Sequence, residues 1–130
     1  MKVTVDTSAI IAVIANEASK EAVINETQGV DLIAPNSLRW EVGNALSAMF
    51  KQNRTNFKLA RDMCDAFTEI PVQYVDVRLK KALRLADKHN IYAYDAYMLV
   101  CANTHQTPLI TLDEELAGIA QNMNIKTLNV

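Results

Sequence analysis

The sequence predicts an α/β fold, a three-layer α/β/α sandwich whose central, mainly parallel sheet has about five strands. Short runs of β-branched or other apolar residues alternate with longer segments in which apolar positions recur every three or four residues. The predicted order is β-α-α-β-α-α-β-α-α-β-α-β, and strands separated by helices favour parallel pairing with both faces of the sheet covered. Half of the 130 residues are hydrophobic, which is enough to fill one core, so we expect 1–130 to form a single domain.

Charge and cysteine content narrow the function classes. Thirteen Lys and Arg residues against fifteen Asp and Glu residues give a net charge of −2, so the chain has no strongly cationic field for nucleic acid, and any phosphate binding must be local or carried by a metal ion. Cys64 and Cys101 lie in apolar, helix-like segments, which predicts buried, reduced thiols. The longest apolar run, Ala9–Ala15, is too short to cross a bilayer, and Asp6 interrupts any signal-like pattern. We therefore expect a cytoplasmic protein without a membrane anchor.

The first strand is predicted over Lys2–Val5, because its β-branched residues favour extended backbone. It stops at Asp6, which is followed by Thr7, Ser8 and the apolar run Ala9–Ala15 of a helix. An aspartate between a strand and a helix lies at the carboxyl edge of a sheet, where α/β proteins bind ligands. Asp6 is therefore a candidate site residue. The alternative is that Asp6, Thr7 or Ser8 only caps the helix.

The next elements are a helix within 17–28, a short apolar strand over 31–35 that ends at a proline, and a helix capped by Asn36 or Ser37. Glu41 borders the apolar stripe of this last helix in its first turn, a position that suits a ligand on the wall of a cleft. The alternative is an acid that is stabilised by the helix dipole. The stripe consists of Leu38, Val42, Ala45, Leu46, Met49 and Phe50.

After a polar link at 51–56 we predict a helix from Phe57, a strand over 71–75 and a helix that starts at Asp76 and ends at Asn90. Both helices have apolar residues at helical spacing. The predicted inward-facing residues are Phe57, Ala60, Met63, Cys64, Phe67, Leu79, Ala82, Leu83 and Ala86.

The segment Tyr94–Ala102 is apolar on every side after Asp95, which predicts a helix buried in the middle of the fold. A charge at the start of such a helix is explained either by capping or by coordination of a cation. The remaining predicted elements are a buried strand over 108–111, a last short helix into which 112–116 leads, and a final strand over 125–128.

Four carboxylates converge in this topology. Each helix that follows a parallel strand starts at the carboxyl edge of the sheet, which brings Asp6, Glu41 and Asp113 together, and Asp95 joins them because its helix returns the chain to enter a parallel strand. Four acids at one rim repel each other unless a cation holds them. No His or Cys accompanies them, so the oxygen ligands favour Mg²⁺ or Mn²⁺ over zinc.

The whole chain resembles a PIN-domain nuclease, and its length is similar to that of the VapC-type toxins of toxin-antitoxin pairs. Each motif is short, but their order and spacing together are specific. The motifs are Val5-Asp6-Thr7-Ser8, Glu41 within Trp40-Glu41-Val42-Gly43-Asn44-Ala45-Leu46, Tyr94-Asp95-Ala96, and Thr111-Leu112-Asp113. Asn44, one turn after Glu41, also resembles the family pattern.

The resemblance implies a PIN-like fold and a metal-dependent endoribonuclease, the toxin of a type II toxin-antitoxin pair. It carries the family's acidic quartet onto Asp6, Glu41, Asp95 and Asp113 as metal ligands and catalytic residues. Mg²⁺ or Mn²⁺ is the implied cofactor, single-stranded or loop RNA the implied substrate, and a second copy of the chain and an antitoxin protein the implied partners. A nearby hydroxyl of Thr7, Ser8 or Thr111 is available to orient water or phosphate. Glu114 and Glu115 follow the last acid and leave open which carboxylate is the fourth ligand.

Other classes of protein fit less well. A receiver-type signalling domain would place its phosphoacceptor at Asp76, at the end of the third strand. Such a domain needs an acidic pair after the first strand and a lysine that ends the last strand. Here the first strand ends on a single acid, Asp6, and Lys126 begins the last predicted strand. An inactive PIN-like binding module would lack at least one of the four acids. A PIN-domain nuclease that acts in RNA processing or on DNA, outside any toxin pair, remains the alternative.

Overall fold

The computed structural model describes residues 1–130 and contains four strands and seven helices in the predicted alternation. None of the helices has the length and apolar character needed to cross a membrane. The elements are β1 (Lys2–Val5), α1 (Thr7–Ile14), α2 (Lys20–Glu26), β2 (Asp31–Pro35), α3 (Leu38–Lys51), α4 (Phe57–Thr68), β3 (Val72–Val75), α5 (Leu79–His89), α6 (Ala93–His105), β4 (Leu109–Ile110) and α7 (Glu114–Asn122).

The four strands form one fully parallel sheet in the order β3-β2-β1-β4, which confirms the predicted class of fold. The chain builds the sheet outward from β1 to β3 and then returns to the other side of β1 with β4. The fifth strand expected over 125–128 is reduced to an isolated bridge between Leu109 and Thr127. Because β4 itself has only two residues, it offers the end of the chain little backbone to pair with.

Both faces of the sheet are covered, as β1 demonstrates. Successive side chains of a strand point to opposite faces. The Thr4 hydroxyl lies 3.5 Å from the Cys101 sulfur of α6 and 2.7 Å from the Thr107 hydroxyl, so Thr4 faces α6. Val3 and Val5 point the other way and are also buried in the core. Strands with two buried faces usually read as continuous apolar runs, a pattern that Leu32-Ile33-Ala34 of β2 follows, whereas β1 buries the polar Thr4 between two valines.

Helix α5 differs from its prediction in two ways. It begins at Leu79 rather than at Asp76, whose carboxylate accepts a hydrogen bond from the amide of Asn36. Of the predicted inward-facing residues, Ala82 is buried, but Leu79 and Leu83 are each more than half exposed. The reason is that α5 packs mainly on α6, where the small residue Ala82 meets Ala96 and Val100.

The prediction of a buried Cys64 is wrong, whereas Cys101 is buried as expected, and both thiols are free. Cys64 lies on α4, where only Ala60 and Phe67 are buried and Phe57 is exposed. The apolar stripe of α4 is therefore narrower than its sequence indicates. Sequence periodicity alone does not separate apolar residues of the core from apolar residues on the surface.

Candidate active site

Each of the four acidic residues lies at or near the start of a helix. Asp6 is the N-cap of α1, Glu41 lies in the first turn of α3, Asp95 lies in the first turn of α6, and Asp113 is the N-cap of α7. Three of these helices follow β1, β2 and β4, whose carboxyl ends meet at one edge of the sheet. This is also the edge at which the chain switches from one side of β1 to the other, the position where open parallel sheets bind ligands.

Asp6 is a buried carboxylate that holds this edge together. Its side chain is 6% exposed, and its Oδ2 atom accepts hydrogen bonds from the Ser8 hydroxyl at 2.6 Å and from the Thr111 hydroxyl at 2.7 Å. The same oxygen accepts a longer bond, 3.4 Å, from the backbone N–H of Ser8. Asp6 therefore caps α1, and through Thr111 it also joins the end of β1 to the end of β4.

Glu41 is held by two hydroxyl groups from different elements. Ser37 donates to Oε2 at 2.6 Å, and Thr7 donates to Oε1 at 3.1 Å. Ser37 stands at the N-cap position of α3, but its side chain caps no backbone N–H, because it is engaged with Glu41 one turn later. Burial raises the pKa of Glu41, the two hydroxyls oppose that rise, and the negative charges of Asp6 and Asp95 add to it.

Asp95 is not a cap, so the capping alternative is wrong for this residue. The N-cap of α6 is Tyr92, whose side chain makes no capping hydrogen bond, and Asp95 comes three residues later. Burial raises the pKa of Asp95 to about 6, and the negative charges of Asp113, Asp6 and Glu115 contribute to the rise. A half-buried carboxylate with only like charges around it is costly, and such groups cluster at functional sites.

Asp113 is exposed and caps α7, since its Oδ1 atom accepts from the backbone N–H of Leu116 at 3.1 Å. Its own backbone N–H donates to the Thr111 hydroxyl at 3.0 Å, so Thr111 contacts both Asp6 and Asp113. The charge of Glu115 also reaches Asp95. Glu115 therefore lies close enough to the acidic site to affect its electrostatics.

The donor set of the site fits a hard divalent cation. It contains four carboxylates and the hydroxyls of Thr7, Ser8, Ser37 and Thr111, with no nitrogen or sulfur ligand, and this all-oxygen chemistry suits Mg²⁺ or Mn²⁺. The negative charges of neighbouring carboxylates raise the pKa values of Glu41 and Asp95, but no three Asp, Glu, His or Cys side chains are arranged as a group of metal ligands. Two of the four, Asp6 and Glu41, are instead oriented by hydroxyl donors.

One member of the site, Ser37, was predicted from the sequence only as a helix cap. Its spacing held the signal, because Ser37 precedes Glu41 by four residues and side chains four apart lie on the same face of a helix. The sequence also indicated the hydroxyls of Thr7, Ser8 and Thr111, and the structure shows that Ser8 and Thr111 bind Asp6 and that Thr7 binds Glu41. Asn44, by contrast, is exposed.

A protein family and a curated protein match most of the chain. A model of the PIN domain matches residues 3–122 of the chain. The curated protein Ribonuclease VapC3 of Pyrobaculum aerophilum is 29% identical over 123 residues, which cover 90% of this chain and 93% of that protein.

Solved structures share the fold. PAE2754 from Pyrobaculum aerophilum superposes with a TM-score of 0.68 at 24% identity, covering 91% of this chain and 86% of the other. VapBC2 from Rickettsia felis, solved with a DNA fragment from its promoter, gives a TM-score of 0.70 at 12% identity over 99% of this chain and 98% of the other. A domain of a functionally unknown protein from Methanocaldococcus jannaschii gives 0.60 at 19% identity, covering 99% and 90%. With the family model matching nearly its whole length, the chain belongs to the PIN domain family.

Proposed function

We propose that this protein is a metal-dependent endoribonuclease that hydrolyses RNA phosphodiester bonds and serves as the toxin of a type II toxin-antitoxin pair. The observation that carries the proposal is the meeting of Asp6, Glu41, Asp95 and Asp113 at one edge of the sheet. The relationship to a curated protein named Ribonuclease VapC3 supports the same activity. Carboxylates that lie close together without a basic partner repel each other, and a bound cation would offset that repulsion.

The four carboxylates would hold Mg²⁺ or Mn²⁺. When bound, such an ion lowers the pKa of a water molecule and offsets the charge that builds on the phosphate oxygens during hydrolysis. The chain's own contribution is orientation. Ser8 and Thr111 fix the Asp6 carboxylate, and Ser37 and Thr7 fix that of Glu41, so neither side chain has to be ordered when the substrate arrives.

The substrate phosphate has a second point of attachment at the start of α6. Because Tyr92 supplies no side-chain cap, the N–H groups of the first turn are available to a phosphate oxygen, and the helix dipole favours an anion there. Hydrolysis joins the water oxygen to phosphorus, breaks one P–O bond and transfers a proton to the leaving sugar oxygen. The chain's own residues thus bind and orient the groups that react.

An exposed aromatic and basic surface beside Glu41 favours single-stranded RNA. The guanidinium carbon of Arg39 lies 4.6 Å from the centre of the Tyr74 ring and 5.6 Å from that of the Trp40 ring. Trp40 is 70% exposed, so one face of its indole is open to solvent. Bases of an unpaired strand stack on such rings, and the arginine is a local cation in a chain whose overall charge is negative.

The proposed protein partners are an antitoxin and a second copy of the chain. A cleft of about 460 Å³ between α1, α3 and α4 is lined mainly by apolar residues, including Ile14, Met49 and Met63, and the exposed Leu59 belongs to it. This surface fits the apolar side of an antitoxin segment, and the structure of VapBC2 from Rickettsia felis represents a related assembly. Since RNA is the proposed substrate, we assign the action of the protein to the cytoplasm.

The activity is tested by incubating the purified protein with one single-stranded RNA and the DNA of the same sequence. We expect Mg²⁺ or Mn²⁺ to support RNA cleavage, an excess of EDTA to abolish it, and Zn²⁺ to substitute poorly, because the ligands are all oxygens. Preferential cleavage of the DNA would favour the alternative of a DNA-directed PIN nuclease. Undiminished RNA cleavage in EDTA would contradict the proposed metal dependence.

A further inference from the structure

A small cleft next to the acidic site remains unused by the proposed chemistry. It has a volume of about 260 Å³ and lies where β2 and β3 end and α5 begins. We propose that this cleft binds an unpaired guanine base of the RNA, and this inference rests on the proposed ribonuclease function. Its principal lining residues are Asn36, Ser37, Asp76, Val77, Leu79 and Tyr97.

The cleft shares a wall with the acidic site. Ser37 lines the cleft, and its hydroxyl donates to the Glu41 carboxylate at 2.6 Å. A base in the cleft and a phosphate at the carboxylates are therefore separated by little more than one side chain. A single nucleotide strand spans that distance, so the cleft is placed to read a base close to the bond that is cut.

The polar side of the cleft presents two adjacent hydrogen-bond acceptors. The Asn36 amide nitrogen donates to Asp76 Oδ1, which leaves Asp76 Oδ2 and the Asn36 side-chain carbonyl free to accept. Both residues are exposed at the mouth of the cleft. Guanine is the RNA base that carries two neighbouring N–H donors, N1–H and N2–H, on its pairing edge. Hydrogen bonds to a carboxylate are stronger than those between neutral groups, so Asp76 contributes most to the selection.

The apolar side of the cleft suits the face of a base. Leu79, the first residue of α5, is an apolar side chain that is 56% exposed, and Val77 beside it is half-buried. The Tyr97 ring makes an edge-on contact with Tyr94, with ring centres 5.9 Å apart and planes 77° apart. Stacking on an aromatic ring favours an unpaired base, while the hydrogen bonds determine which base binds.

The test measures binding rather than cleavage. Three short uridine-rich RNAs that differ only in one central nucleotide, guanosine, inosine or adenosine, are titrated into the full chain in EDTA. Inosine lacks the N2 amino group, so we expect the guanosine RNA to bind about tenfold more tightly than either of the others. Asp76→Asn should remove this preference. Asp31→Asn, which changes an exposed aspartate at the opposite end of β2, should keep it.

Equal binding of the three RNAs by the wild-type protein would overturn the inference, and so would an unchanged guanosine preference in Asp76→Asn. The comparison of guanosine with inosine uses the wild-type protein, so it does not depend on the folding of a variant. It also does not depend on catalysis. Guanosine preference without any cleavage in Mg²⁺ would reject the proposed nuclease activity and retain the base site, whereas cleavage without guanosine preference would do the opposite.

Discussion

Asp95→Asn is expected to reduce RNA cleavage by roughly 10²-fold or more while leaving the metal-free protein at least as stable as the wild type. The variant loses a negative charge that a cation would use. It also loses repulsion from Asp113, Asp6 and Glu115, and it sacrifices no helix cap, because Tyr92 occupies that position. Activity and stability should therefore change in opposite directions. Cleavage rates in Mg²⁺ and thermal midpoints in EDTA measure the two effects.

The stability difference between this variant and the wild type should depend on pH. The folded state raises the pKa of Asp95 from 3.8 to about 6, so ionising the residue costs more in the folded than in the unfolded chain. This penalty is absent below pH 3.8, grows up to about pH 6 and is complete above it, and the asparagine never incurs it. Asp87→Asn, an exposed change on α5, is the control and should behave as the wild type. Cleavage by Asp95→Asn at the wild-type rate would show that the acidic cluster has only a structural role.

Asp6→Ala is expected to lose activity to a similar extent but also to destabilise the fold, by about 2 to 4 kcal/mol. The alanine removes the cap of α1 and leaves the hydroxyls of Ser8 and Thr111 without their shared acceptor in a buried place. Loss of a cap and loss of hydrogen bonds to a charged group add up to that range. Urea denaturation in EDTA gives the free energy of unfolding.

The comparison with Asp6→Asn separates charge from hydrogen bonding. An asparagine keeps one carbonyl oxygen that caps α1 and accepts from Thr111, so it should recover most of the stability and little of the activity. If Asp6→Ala unfolds at the same urea concentration as the wild type, Asp6 does not hold the ends of β1 and β4 together. If Asp6→Asn cleaves RNA normally, its charge has no part in the reaction.

The order and type of the elements could be predicted from the sequence because strands and helices here have distinct periods. Val3–Val5 and Ile33–Pro35 are buried and rich in β-branched or apolar residues, while Leu38, Val42 and Leu46 mark the core side of α3. The end of the chain was less predictable. Whether 125–128 forms a strand depends on how long β4 is, and that length is set by packing in the folded protein.

The meeting of the four acids followed from topology, because parallel strands direct their carboxyl ends to one edge. The partners of each carboxylate did not follow. Thr7 reaches Glu41 across 34 residues, and Thr111 reaches Asp6 across 105, and no local pattern encodes such contacts. For the same reason periodicity did not distinguish Leu79 and Leu83, which are exposed, from core residues.

The thermal midpoint, followed as Mn²⁺ is added to metal-free protein, tests the claim that the four carboxylates act together as one cation site. A ligand that binds only the folded state stabilises it in proportion to the logarithm of its concentration. We predict that Mn²⁺ raises the midpoint of the wild-type protein progressively and that of Asp95→Asn much less at every concentration. An equal rise in both proteins, or no rise in either, would contradict the claim.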